Sequence, residues 1–187
     1  MVLVHELPDS QIVVDAFHGT NLAAAHAIRG TRQWCRSTGP SEWLGYGVYF
    51  FLDRTMALQW AQRHHNRKAA VLYTRVRLSR CFDPDEERAQ CRELLKGARD
   101  ELARCCGLSS TEVPVDIGDD RRLSCAVFNK LFEIARPHIQ TVRAFCRESL
   151  RGAFGLVFDC EDHVQLNVID ESCIISDPEL LTEEQLR

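Results

Sequence analysis

Short β-branched and aromatic runs stand at both ends of this chain, and a helix-patterned stretch fills its middle. The chain therefore reads as α+β, with strands in its first and last blocks and a helical block inserted between them. The first runs are QIVVDAF (residues 11–17), GVYFF (47–51) and AVLYTRVRL (70–78). The later ones are FGLVF (154–158) and VQLNVI (164–169), with the acidic turn DCEDH between them. Segments rich in Val, Ile, Tyr and Phe and bounded by Gly, Asp and His read as strands.

Helical spacing appears between them. Residues 21–29 (NLAAAHAIR) read as a short helix capped by Asn21 and stopped by Gly30. Residues 53–64 read as a helix capped by Asp53, with Met56, Ala57, Trp60 and Ala61 at helical spacing. Asp83-Pro84 opens a helix reaching about Cys105, with Asp85, Glu86 and Glu87 in its first turn and Arg104 near its end. After a Gly-containing loop at 107–120 come a helix at 122–135 and a third running from Pro137 to Leu150. The charged tail, 177–187, reads as a solvated helix or a frayed end.

With 187 residues, 45% hydrophobic and 27% charged, the chain has the arithmetic of one domain that buries roughly 70% of its unfolded surface. A net charge of -4 argues against a general polyanion-binding surface. The cysteine count, 9, is odd and contains no CxxC, so the thiols are expected to be reduced packing residues. No stretch approaches the roughly 18 apolar residues of a membrane span, and MVLVHELPDS has no basic segment or long apolar run. A cytoplasmic protein is expected; one delivered into a host cell would look the same.

Two motifs carry potential chemistry. In His18-Gly19-Thr20 an imidazole at a strand end precedes a glycine that lets a ligand approach the backbone. Alone, the pair reads more simply as a core histidine beside a turn. In Leu44-Gly45-Tyr46-Gly47-Val48-Tyr49-Phe50-Phe51, paired glycines lead into an aromatic strand where a planar ring could stack on Tyr49. Alone, that segment is an ordinary turn entering a core strand.

In this order the two motifs resemble the ADP-ribosyltransferase superfamily, in its poly-ADP-ribose-polymerase and diphtheria-toxin-like branch. That branch carries a strand-borne His-Gly-Ser/Thr, a Gly-x-Tyr-Phe strand followed by a helix with a second aromatic, and a strand opened by Glu or its substitute. His18-Gly19-Thr20 matches the first element and Gly47-Val48-Tyr49-Phe50 the second, with Trp60 at the second aromatic. Val164-Gln165-Leu166-Asn167-Val168-Ile169-Asp170 matches the third, with Gln165 at the strand-opening position. The resemblance covers residues 11–80 and 154–176. It implies an α+β fold with two small antiparallel sheets split around an NAD cleft, and a helical insert at about 83–150 within a single domain. By the same resemblance Gly19 would bond the nicotinamide amide, His18 the adenine-side ribose, and Tyr49 and Trp60 would clamp the nicotinamide ring. Thr20 could assist through its hydroxyl.

The implied activity is transfer of ADP-ribose from NAD to a macromolecular acceptor, a protein before a nucleic acid, one unit at a time. Short members of the superfamily are often toxins or effectors, and the helical insert is where a target or antitoxin would dock. Gln165 departs from the family's Glu: it can hydrogen-bond a ribose hydroxyl but cannot act as a base. Three readings follow. The acceptor needs little deprotonation; a nearby acid, Asp159, Glu161 or Asp162, takes over; or the domain is an inactive NAD- or ADP-ribose-binding module. Strand alternation would set Gln165 and Asn167 in a cleft and Val164, Leu166 and Val168 in the core.

Other chemistries fare worse. His64-His65 and Cys105-Cys106 lack partners at zinc spacing, so no metal is expected. The glycines follow neither dinucleotide-fold nor P-loop spacing. The stretch from Arg29 to Arg36 interleaves Trp34 with three arginines, as a single-stranded nucleic-acid groove does, although a solvated face is the more ordinary origin.

Overall fold

A computed structural model describes Leu7 and residues 9–84, 88–107, 121–135, 138–146 and 163–186. Its strands are β1 (Val13–Asn21), β2 (Val48–Phe51), β3 (Ala69–Arg77), β4 (Cys81–Phe82), β5 (Thr141–Cys146), β6 (His163–Val168) and β7 (Glu179–Leu180). Its helices are α1 (Leu22–Thr31), α2 (Arg54–His65), α3 (Arg88–Cys105) and α4 (Arg121–Ala135). The class is α+β.

The seven strands form one mixed sheet in the order β4-β5-β6-β2-β1-β3-β7. This corrects the expectation of two separate sheets. The halves are joined where β1 meets β2 at a single pair, Phe17 opposite Phe51. On one side β1 and β3 pair antiparallel from Val13–Arg77 to Asn21–Ala69. On the other, β2 and β6 pair from Val48–Val168 to Phe51–Gln165. Among the described strands only β4 and β5 run parallel.

Several local expectations change, those on strands because pairing overrides local signals. β1 does not stop at His18-Gly19-Thr20: its ladder with β3 carries that motif within the strand. α1 continues through Gly30 and ends at Arg32, whose left-handed φ of 58° lets its N–H reach the Ile28 carbonyl at 2.7 Å. The third helix is absent over the described residues 138–146, where β5 pairs with β6 along its whole length. The proposed insert thus contributes a strand to the sheet. In the tail, β7 pairs with β3, so the segment is neither helical nor frayed there. The expected strand at 154–158 lies outside the described residues.

The caps read from sequence do form. Asn21 Oδ1 accepts from Ala24 N at 2.9 Å, and Asp53 Oδ1 accepts from Thr55 N and Met56 N at 2.7 and 3.0 Å.

Alternation divides the core between the two faces of the sheet. On one face, Ala16, Val48, Phe50, Leu72, Leu166 and Val168 pack with Ala25 and Ile28 of α1 and with Trp34. The other face carries two clusters. Phe51 and Val71 pack with Met56 and Ala57 of α2, while Val142 and Ala144 pack with α3 and α4. Tyr49 leans on the second of these clusters, and its strand neighbour Phe51 belongs to the first. The boundary between the two helical layers therefore runs past β2.

Of the cysteines, Cys91, Cys125 and Cys173 are buried, but Cys35, Cys105 and Cys106 are exposed. Packing thus accounts for only part of the set. Among the described residues no helix is long and apolar enough to cross a membrane.

Candidate functional site

The β1–β2 ladder ends after Phe17–Phe51. Continuing that antiparallel register by two residues would set Gly19 opposite Tyr49. Instead, His18 Nδ1 donates to the Tyr49 carbonyl at 2.8 Å, so an imidazole replaces the next rung. That hydrogen bond places the ring proton on Nδ1 and leaves Nε2 as the acceptor atom of a neutral ring. Trp34 meets the ring edge-on at 5.6 Å and Phe50 lies 5.7 Å away.

Burial pushes the His18 pKa below its ordinary value, and the bond to the Tyr49 carbonyl opposes that shift without reversing it. The consequence for stability has a definite sign. As pH falls below about 6.5, the unfolded chain takes up a proton that the folded chain resists, so stability declines until the depressed pKa is reached. Denaturation at pH 7.5 and 5.5 should show a smaller loss in His18→Gln than in the parent. An equal loss would remove His18 as the source.

Gly19 is held by close approach. A β-carbon there would stand 2.4 Å from the Ala57 carbonyl oxygen and 3.2 Å from Trp60 Cε3. The helix thus sets Trp60 directly against the Gly19 backbone. Trp60 is 38% exposed, and its ring stacks on His64 at 4.2 Å and 22°. Thr20 is buried in β1, opposite Ala70.

Tyr49 does not have a free hydroxyl. It donates to the Gly45 carbonyl at 2.8 Å and accepts from Leu44 N at 3.0 Å. Burial drives its pKa far above the ordinary tyrosine range. The turn it anchors needs glycine: Gly45 has a φ of 80° and lies against Phe128, Asn129 and Phe132 of α4.

Gln165 lies opposite Phe51, which lies opposite Phe17, so all three share one face of the sheet. Its Oε1 accepts from Trp43 Nε1 at 2.6 Å, and its Nε2 lies 3.0 Å from His163 Nε2. The expectation for Asn167 is corrected. It is fully buried, not in a cleft, with Nδ2 donating to the Leu44 and Gly45 carbonyls at 2.8 and 3.2 Å. Its carboxamide replaces an aliphatic side chain because the turn at 44–45 offers two carbonyls to satisfy. Glu161, with Asp159 and Asp162, lies outside the described residues.

The structure thus joins His18 to the Tyr49 carbonyl and Gly19 to Trp60, while Gln165 lies on β6 opposite Phe51 and bonds instead to Trp43 and His163. By alternation, the His18 and Thr20 side chains point to the α1 face while Tyr49 and Gln165 point to the other. Among these residues, the two faces are linked by the bond from His18 to the Tyr49 backbone carbonyl, where the ladder ends. The basic stretch does not form a stacking groove: Trp34 is 8% exposed, Arg32 pairs with Asp177 at 2.7 Å, and Arg36 donates to the Ile169 carbonyl. Among the described residues no group of three or more His, Cys, Asp or Glu side chains is placed to hold a metal ion.

Sequence reasoning missed Trp43 and His163. His163 lines a cavity of about 370 Å³ with Leu52, Asp53, Thr55, Met56, Phe145 and Val164. The hint for His163 was its place two residues before Gln165 on a strand, hence on the same face. For Trp43, 122 residues from its partner, no local hint existed.

Comparison with protein-family models, with curated proteins and with solved structures finds no match to the chain.

Proposed function

We propose that the protein binds NAD where β1 and β2 part and transfers its ADP-ribose to a macromolecular acceptor, releasing nicotinamide. The observation that carries this reading is the interrupted ladder. Gly19, left out of the β1–β2 pairing, faces Trp60, while His18 occupies the gap beside it and holds the Tyr49 carbonyl. A planar amide-bearing ring could take its hydrogen bonds from a free strand edge and its stacking from an indole. The neutral His18 offers Nε2 as an acceptor for a ribose hydroxyl.

In the proposed reaction the bond between ribose C1 and the nicotinamide nitrogen breaks, and its electron pair neutralises the departing ring. The acceptor nucleophile bonds to C1 through an oxocarbenium-like transition state and gives up any proton it carries to solvent. The protein's part is to orient the glycosidic bond and hydrogen-bond the sugar. Gln165 supplies that hydrogen bonding without a charge, which suits single-unit transfer to an acceptor needing little deprotonation. A protein acceptor is favoured over nucleic acid because the net charge is -4 and Trp34 is buried.

Purified protein with NAD and a whole lysate should release nicotinamide and label a protease-sensitive acceptor. His18→Ala and Tyr49→Ala, if folded, should each lower release by at least ten-fold, the cost of one or two lost hydrogen bonds or a lost stacking surface. NAD binding without release would establish the binding-module alternative. No binding at all would remove both.

A further inference from the structure

Gln165 is held at both ends of its carboxamide, and the chemistry of its two partners determines which end is which. An indole N–H can only donate. The atom of Gln165 that meets Trp43 Nε1 at 2.6 Å must therefore be the oxygen. The amide nitrogen is then directed at His163 Nε2, 3.0 Å away, and that ring atom must accept. A neutral His163 that accepts at Nε2 carries its proton on Nδ1.

Trp43 is itself held in place from the helical layer. Ser124 of α4 donates to the Trp43 carbonyl at 2.6 Å. The adjacent residues are tied as well: Tyr46 N donates to Asn129 of α4 at 2.8 Å, and Tyr49 and Asn167 bind the Leu44–Gly45 turn. The segment carrying Trp43 is thus fastened to α4 on one side and to β2 and β6 on the other.

We propose that Trp43 and His163 are positioning residues that lock the Gln165 carboxamide in one orientation, oxygen to the indole and nitrogen to the imidazole. One amide N–H is spent on His163, and the second remains as a directed donor for a hydroxyl. The part assigned to that donor, bonding the ribose in the transition state, rests on the transferase reading above. The orientation itself does not. In this arrangement α4 is a support of the site, through Ser124 and Trp43.

The orientation is tested without turnover by the tautomer of His163. A long-range 1H–15N correlation spectrum, with the His163 resonances identified by their loss in His163→Gln, should show the proton on Nδ1. Trp43→Phe removes the donor that fixes the carboxamide, which can then turn its oxygen toward His163. A mixture of Nδ1–H and Nε2–H forms is expected in that variant. A parent protein with the proton on Nε2, or a folded Trp43→Phe variant that stays wholly Nδ1–H, would overturn the proposal.

Kinetics test the second half. Nicotinamide release by Trp43→Phe and by His163→Phe should lose roughly ten-fold in kcat with little change in KM for NAD, the cost of one misdirected hydrogen bond. His163→Gln, whose side-chain oxygen can accept from Gln165, should restore most of it. An active parent whose kcat is unaffected by these changes, or a His163→Gln variant as impaired as His163→Phe, would sink the assigned role. A parent that releases no nicotinamide removes the transferase reading alone, because the tautomer experiment still decides the orientation.

Discussion

Gly47→Ala should lose roughly 4 kcal/mol of stability and shift the urea midpoint far below the parent's. A β-carbon at that position would lie 1.9 Å from Asn167 Oδ1 and 2.7 Å from the Val168 carbonyl oxygen. Neither atom has room to retreat. Asn167 is fully buried and fixed by its two bonds to the 44–45 turn, and the Val168 oxygen belongs to the backbone of a central strand. Gly47 also exchanges backbone hydrogen bonds with Ser37, at 2.7 and 3.2 Å, so moving it breaks that bridge. Overpacking of a core costs about 1–3 kcal/mol, and adding broken buried hydrogen bonds brings the total to roughly 4 kcal/mol. That is a large share of the 5–15 kcal/mol typical of a whole domain, roughly speaking. Urea denaturation reads the result directly. A midpoint equal to the parent's would mean that Asn167 and Gly47 are not in contact as described.

Gly19→Ala should cost about 2–3 kcal/mol of stability and weaken NAD binding by more than ten-fold where the variant remains folded. The new β-carbon meets a helix backbone, the Ala57 carbonyl, at 2.4 Å. The conflict can be relieved only by moving α2 away from β1, and Trp60 travels with the helix. Gly30→Ala is the matched control. Nothing lies within 4 Å of a β-carbon there, and the residue sits inside α1. It should gain about 0.5–1 kcal/mol from helix propensity and leave NAD binding unchanged. Thermal melts and calorimetric titration with NAD separate the two variants. If Gly19→Ala binds NAD like the parent, the proposed NAD site is not at this glycine.

The sequence offers His18, Gly19, Tyr49 and Trp60 through their resemblance to the motifs of the ADP-ribosyltransferase superfamily. The structure brings His18 against Tyr49 and Gly19 against Trp60. Helix caps at Asn21 and Asp53 were legible for a different reason: a cap is a bond to a residue two or three positions away. Expectations failed where a distant strand decided the outcome. Residues 141–146 carry the β-formers Thr141, Val142 and Phe145, but a helix read onward from Pro137 covers them, and β6 pairs with all six. Gly30 is a local exception: it reads as a helix stop, yet the left-handed cap forms two residues later at Arg32. Asn167 reads as a cleft residue by alternation alone, because alternation assigns a face and says nothing of what covers it.

The runs at the two ends of the chain determined by themselves that strands flank a helical middle. Period-2 patterning and helical spacing are properties of neighbouring residues, and they survive any arrangement of the whole. Only the tertiary structure decided that the sheet is continuous, that its halves touch at one pair, and that an imidazole takes the place of the next rung. It alone decided that Gln165 is gripped by Trp43 and His163. Those contacts join residues whose meeting depends on strand order and on the approach of α2 and α4, and no local pattern encodes either.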